Sequence, residues 1–506
     1  MKKKIINLIF KYACLFLLGT GILYRFVLLN IGYEYDEIFT AITSNPSIPL
    51  TWIWTNWLMV DVHPPLYNIL LWFYNHIVPY GAEIWLRLPS VFFGISGLVL
   101  AWVMFPRRYG KTARLLFVSM FSAHLYLIFY TQHARAYALM FLLGVILLFW
   151  FLDIARALCK GRLIPVKKWL GWGVVSLILC WTHYFGALVF GAYSLILLAL
   201  AFKHKHYRKT VFGITAGVTL LFLPWLVPNF LFNASMERFD GNWWGNRMNS
   251  PLLLPRLISF FFSSLWGLVL YATLLIMGGW NYYKQYKFSK KWPFMQEQVW
   301  LGLAVLIVFG IASLLSIKIF LLLGRYFMAF LPALVLLSTF LFLPFVKKRV
   351  MGKAVFVLFL LQSFFAVFIQ TNYFLTYPQQ FPAKFTAEFY RDYAPEKEFF
   401  VIAMEAFPVD SLEALYSYYP NQVFGMNARV TELFHLDKSA RNEALKRKEN
   451  AFIWMPNCST RKLSLLSEEW DRAIGLEGPL GNSCVLQLGE EGEDAPEEWK
   501  KSRKNK

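Results

Sequence analysis

The sequence predicts a polytopic α-helical membrane protein of about eleven transmembrane helices, followed by a small C-terminal extracytoplasmic α/β domain. Three observations predict this. The chain is 58% hydrophobic and 19% aromatic over 506 residues, more than a soluble core of that size needs. Apolar runs of bilayer length recur through residues 1–371, separated by short turns rich in Lys and Arg. After Thr371 the composition changes: residues 1–370 hold 33 Lys/Arg against nine acids, whereas 371–506 hold 17 against 21.

The first span follows MKKK and is too long for a signal-peptide core, with no small-residue cleavage site, so it is read as retained. Further spans are expected near 84–105, 114–130, 136–152, 169–183, 186–202, 211–230, 257–279, 299–316, 321–345 and 354–371. Charge orients them. With the N-terminus in the cytoplasm, the inside turns hold 25 Lys/Arg and the outside turns six, as the positive-inside rule requires. The protein is therefore expected in a plasma membrane (the inner membrane of a bacterium), with its C-terminal domain outside. Leu66–Pro79 is too short for a span and reads as a helix in the outer interface, beside Trp52, Trp54 and Trp57.

The domains expected are a membrane domain over 1–371 with a first outer loop at 30–83, an α/β domain over 372–489, and a disordered charged tail over 490–506. Within the α/β domain, 399–404, 451–455 and 484–488 read as short buried strands. Cys458 and Cys484 could pair if that domain is extracytoplasmic. A second outer loop, 231–256, carries Trp243 and Trp244 and could cover a site. The basic excess belongs to the membrane part, where it reports topology and anionic membrane lipids; no soluble basic surface exists for nucleic acid.

Chemistry concentrates in the first outer loop. Of the nine acids in 1–370, Glu34, Asp36, Glu37 and Asp61 fall between Tyr33 and Tyr67, with His63 and no Lys or Arg. Carboxylates beside hydrocarbon are costly and mark function. Such a set can take a proton from an acceptor while cations hold a departing phosphate, which needs no general acid. Asp36 is the expected base. Its neighbour Glu37 points elsewhere and could orient it or hold a metal. Asp61 is a supporting residue or metal ligand, and His63 is presented by Pro64-Pro65. Arg87, Arg135 and Arg325 lie at or near outer span ends and could meet the phosphate; Arg325 sits deepest in an apolar run. His183 reads as a structural residue. No organic cofactor is called for, and a divalent cation could sit beside the carboxylates.

Tyr35-Asp36-Glu37 followed by Asp61-Val62-His63-Pro64-Pro65-Leu66 resembles the first-loop signature of protein O-mannosyltransferases, members of the GT-C superfamily of membrane glycosyltransferases. Arg87-Leu88-Pro89-Ser90 looks like the outer start of their second span, where that family requires an Arg. Gln132-His133-Ala134-Arg135-Ala136-Tyr137 and Gly324-Arg325-Tyr326 resemble stretches of bacterial relatives, including aminoarabinose transferases. The resemblance covers roughly 1–370. It departs at Tyr67-Asn68, where eukaryotic mannosyltransferases have Gly-Lys, and at Val62-His63, where the aminoarabinose branch has Glu and Lys. It implies an inverting glycosyltransferase using a polyprenyl-phosphate-linked sugar donor and an extracytoplasmic acceptor. Asp36 would be the base, Glu37 and Asp61 its supports, and His63, Arg87 and Arg325 neighbours of the donor phosphate. The competing reading is a transporter or flippase of lipid-linked sugars, which would place charge at the midplane of interrupted, repeated spans.

Overall fold

The computed structural model describes residues 2–59, 61–202, 205–235, 253–290, 294–316, 321–376, 382–393, 398–402, 418–424, 426, 429–431, 451–455, 474–480 and 483–488. In chain order the helices are α1 (Lys2–Tyr24), α2 (Tyr35–Thr43), α3 (Leu50–Ile53), α4 (Leu66–Asn75), α5 (Glu83–Val103), α6 (Lys111–Ala123), α7 (Leu125–Thr131), α8 (Tyr137–Cys159) and α9 (Val166–Thr182). There follow α10 (Tyr184–Ala201), α11 (Lys205–Ser235), α12 (Leu253–Phe262), α13 (Leu265–Ser289), α14 (Met295–Leu315), α15 (Leu331–Lys348), α16 (Val350–Thr376) and α17 (Pro382–Tyr393). The strands are β1 (Glu398–Ile402), β2 (Arg429–Thr431), β3 (Ala451–Met455), β4 (Ile474–Leu480) and β5 (Ser483–Leu488). Trp243, Trp244, the Cys458–Cys484 pairing and the tail 490–506 lie outside the described residues.

Among the described residues nine helices are long and apolar enough to cross a membrane, ten if the bent pair α6–α7 counts as one span. The difference from eleven has local causes. α6 and α7 meet at 61° because His124 is extended (φ −70°, ψ 113°) and its imidazole takes the Leu127 N–H, replacing helical continuation by a cap. α9 has only 17 residues and stops where His183 turns extended. The expected span over 257–279 is still counted, as α13, but starts later: Ser263, with φ 65°, ends α12, and Ser264 caps α13. α4 is ten residues, about 15 Å of helix, or half a bilayer core.

The chain divides into two compact units. The first comprises Met1–Leu29, Pro46–Tyr74 and Arg87–Gln370. Its centre is α8: 78% of that span is buried, against 22% for α1. Close approach fixes its neighbour. A Cβ on Gly144 would lie 2.2 Å from the Ala329 carbonyl oxygen, so only glycine lets the 3-10 turn Gly324–Ala329 seat against α8. At the basic end both available acids are engaged: Glu297 accepts from Arg156 at 2.8 Å and from Tyr109 at 3.2 Å, and Asp153 pairs with Lys168 at 2.9 Å and Arg108 at 3.4 Å. These bonds tie α8, α9 and α14 together beneath the spans.

The second unit comprises Asn30–Asn45, Asn75–Leu86 and Thr371–Lys506, so pieces of the first loop belong with the C-terminal part. Its sheet has the order β2-β1-β3-β5-β4, parallel among β2, β1 and β3 and antiparallel at β3–β5 and β5–β4. Asn75 donates to the Ser44 carbonyl at 2.8 Å and Tyr80 to the Ala41 carbonyl at 2.9 Å, which moors α2. Glu83 takes Lys384 at 2.7 Å and Tyr419 at 3.1 Å, and Tyr419 in turn accepts the Tyr33 N–H at 2.7 Å.

Candidate active site

The second unit carries the acid pair on the first turn of α2. Glu34 is its N-cap, and a reciprocal capping box forms with Glu37, whose Oε2 accepts the Glu34 N–H at 3.2 Å. Glu37 is fully buried. Its carboxylate therefore holds the start of the helix, and Asp36, half-buried on the same turn, is the carboxylate with partial access. Both stabilise the helix N-terminus electrostatically. Glu37→Ala is expected to cost about 1 kcal/mol of stability, whereas Glu37→Gln keeps both the capping geometry and activity. Thermal unfolding and a transfer assay on the two variants check this; a stable but inactive Glu37→Gln would show that the charge itself is needed.

In the first unit the segment before the double proline is fixed from behind. Asn229 on α11 donates to the carbonyls of Met59 (3.0 Å) and Asp61 (2.7 Å), and Tyr184 donates to Asn229. This holds Asp61 and His63 side by side, Nδ1 to Oδ1 at 3.3 Å, with the His63 side chain 20% exposed and the Asp61 side chain 11%. The His63 ring lies 5.2 Å from that of His183 and 6.2 Å from that of Tyr326; His183 and Tyr326 are 5.0 Å apart. Arg135 and Arg325 are within electrostatic reach of His183, and the Arg325 guanidinium stands 5.9 Å from the ring centres of Tyr137 and Tyr326.

His183, which reads as a structural residue in the sequence, stands in this group. It is extended between α9 and α10, and its Nδ1 accepts the Phe185 N–H at 3.1 Å. A neutral imidazole so used must carry its proton on Nε2. Among the described residues that atom is buried without a hydrogen-bond partner, and two arginines and a second imidazole stand near it. Tyr184 and Asn229 carry no signal in the sequence, and Tyr326 stands out only within Gly324-Arg325-Tyr326. A histidine between two apolar spans was the available signal; the contacts over more than a hundred residues were not legible.

Arg87 is almost fully buried on α5, its Nη1 donating to the carbonyls of Leu28 (3.3 Å) and Leu29 (3.1 Å). Three residues on, Ser90 bridges the Tyr67 hydroxyl (2.6 Å) and the Arg135 carbonyl (3.3 Å). Arg87→Leu would leave two buried carbonyls short of a donor and is expected to cost about 2 kcal/mol, seen as a lower melting temperature. Weakened donor binding at an unchanged melting temperature would place Arg87 at the phosphate instead. Among the described residues no group of three His, Cys, Asp or Glu side chains could hold a metal ion; Asp61 and His63 supply two donors with no third.

No protein-family model matches the chain, and no curated protein sequence matches it. Solved structures do. ArnT from Cupriavidus metallidurans bound to undecaprenyl phosphate aligns over 95% of this chain and 99% of its own, with 12% identity and a TM-score of 0.57. The same protein in the apo state aligns over 93% and 97%, with 11% identity and a TM-score of 0.54. The archaeal oligosaccharyltransferase AglB from Archaeoglobus fulgidus, in complex with an inhibitory peptide and a dolichol-phosphate, aligns over 96% of this chain and 75% of its own, with 11% identity and a TM-score of 0.48. At this identity the likeness is one of architecture: the chain is an integral membrane protein that shares the fold of ArnT from Cupriavidus metallidurans.

Proposed function

We propose that this protein is an inverting glycosyltransferase that moves a sugar from a polyprenyl-phosphate-linked donor to an extracytoplasmic acceptor: a protein, a lipid or a cell-envelope glycan. The observation that carries the reading is the group His63, His183, Tyr326, Arg135 and Arg325, with a buried His183 Nε2–H that has no acceptor among the described residues. Such a group is a socket for an oxyanion. The fold it shares with ArnT, solved with undecaprenyl phosphate, supports a lipid phosphate as that oxyanion.

In this reading Asp36 takes the proton of the acceptor O–H or N–H. The freed electron pair attacks the anomeric carbon from the face opposite the phosphate. The bond from that carbon to the phosphate oxygen breaks, its electrons leave with polyprenyl phosphate, and the configuration inverts. His63, His183, Arg135 and Arg325 stabilise the charge that gathers on the leaving phosphate. Asp61 orients His63. The N-terminus would be cytoplasmic and the C-terminal domain outside, in a plasma or bacterial inner membrane.

The test is reconstitution of the purified full-length chain in vesicles with a panel of polyprenyl-phosphate sugars and envelope acceptors. The expected result is one free polyprenyl phosphate per sugar transferred, with inverted anomeric configuration by NMR. Movement of intact lipid-linked sugar across the bilayer without consumption would overturn the reading.

A further inference from the structure

Among the described residues the first unit holds a second pair of neighbouring side chains that each keep one buried donor atom without a partner. Arg25 follows the last turn of α1 and is fully buried. Its Nη1 donates to the Gly21 carbonyl and its Nη2 to the Phe121 carbonyl at 3.2 Å, while its Nε has no partner. Among the described residues no carboxylate pairs with it. His124 stands beside it, because its backbone N–H goes to the same Phe121 carbonyl at 3.4 Å. The His124 Nδ1 is occupied by the Leu127 N–H at 3.1 Å, so a neutral ring presents a proton on Nε2, and that atom too is buried and unpartnered.

What these bonds leave over is the Arg25 Nε and the His124 Nε2, two buried donors on side chains that meet at one carbonyl, one of them permanently charged. Water would satisfy the hydrogen bonds but leave the guanidinium uncompensated, and an arginine at membrane depth marks an anion or its path. Leu23, Phe26 and Val27, which flank Arg25, are 69%, 48% and 47% exposed, so the neighbouring surface is apolar and suits acyl or prenyl chains. The Phe260 ring lies 5.5 Å from that of His124. We propose that Arg25 and His124 form a second oxyanion site, which takes a phosphate distinct from the one held by the His183 group. His124 caps the start of α7, a helix about 10 Å long, and Arg135 follows its end, so α7 lies between them in the chain. This inference does not depend on the transfer reading.

Native mass spectrometry of delipidated full-length protein with a short-chain polyprenyl phosphate tests it. The wild type is expected to bind two equivalents. Arg25→Met loses one, and His124→Asn, which keeps the cap on Leu127 but not the distal donor, weakens the same equivalent about tenfold. His183→Leu with Arg325→Gln removes the other, so failure of the donor reading leaves the Arg25-dependent equivalent intact. Inorganic phosphate at millimolar concentration displaces that equivalent if the site serves free phosphate and spares it if the lipid chain is part of the ligand. Two equivalents retained by folded Arg25→Met and His124→Asn, or a wild type that binds only the His183-dependent one, would overturn the proposal.

Discussion

Asp36→Asn is expected to abolish transfer, lowering kcat by about 10²- to 10⁴-fold while leaving donor affinity within a few-fold of wild type. The amide is isosteric and cannot take a proton. It sits on the first turn of α2, where a lost charge weakens the helix by about 0.5 kcal/mol at most, so the variant stays folded. The split between kcat and donor affinity separates a base from a binding residue. Glu37 should behave differently, since its carboxylate is already engaged with the Glu34 N–H. Single-turnover transfer and donor binding measured on the same preparation decide the matter. Undiminished transfer by Asp36→Asn would remove it from the chemistry.

Arg325→Gln is expected to act on the other side of the reaction. A charge-assisted hydrogen bond to phosphate contributes about 1.5–3 kcal/mol, so its loss should weaken donor binding about 10- to 150-fold. Arg325 is half-buried on the turn Gly324–Ala329, which Gly144 seats against α8. Glutamine there keeps the turn and removes the charge. His183→Leu should weaken binding less, because a neutral N–H is the smaller donor, and together the two changes should exceed either alone. A kcat loss with donor affinity intact would move Arg325 from phosphate binding to some other role.

The spans were legible because bilayer-length apolar runs and basic turns follow from composition alone, and nine of the described helices carry that signature. The breaks were not. His124 and Ser263 interrupt runs that periodicity reads as continuous, since a side-chain cap and a positive φ leave no trace in hydropathy. Asp36, Glu37, Asp61 and His63 stood out as rare polar residues in a fatty chain. Arg25 lay in that same chain and was passed over, because the first span was read for its length and flanks. Which nitrogen of His183 or His124 remains open to a ligand depends on a backbone N–H two or three residues on, and that is settled only by the fold.

The most direct test is a cryo-electron microscopy structure of the full-length protein with polyprenyl phosphate. The phosphate is expected within hydrogen-bond distance of the His183 Nε2 and the Arg325 guanidinium, with its chain leaving along the apolar surface of the spans. A polyprenyl phosphate bound with its headgroup elsewhere, and the His183 Nε2 still facing protein alone, would contradict the account.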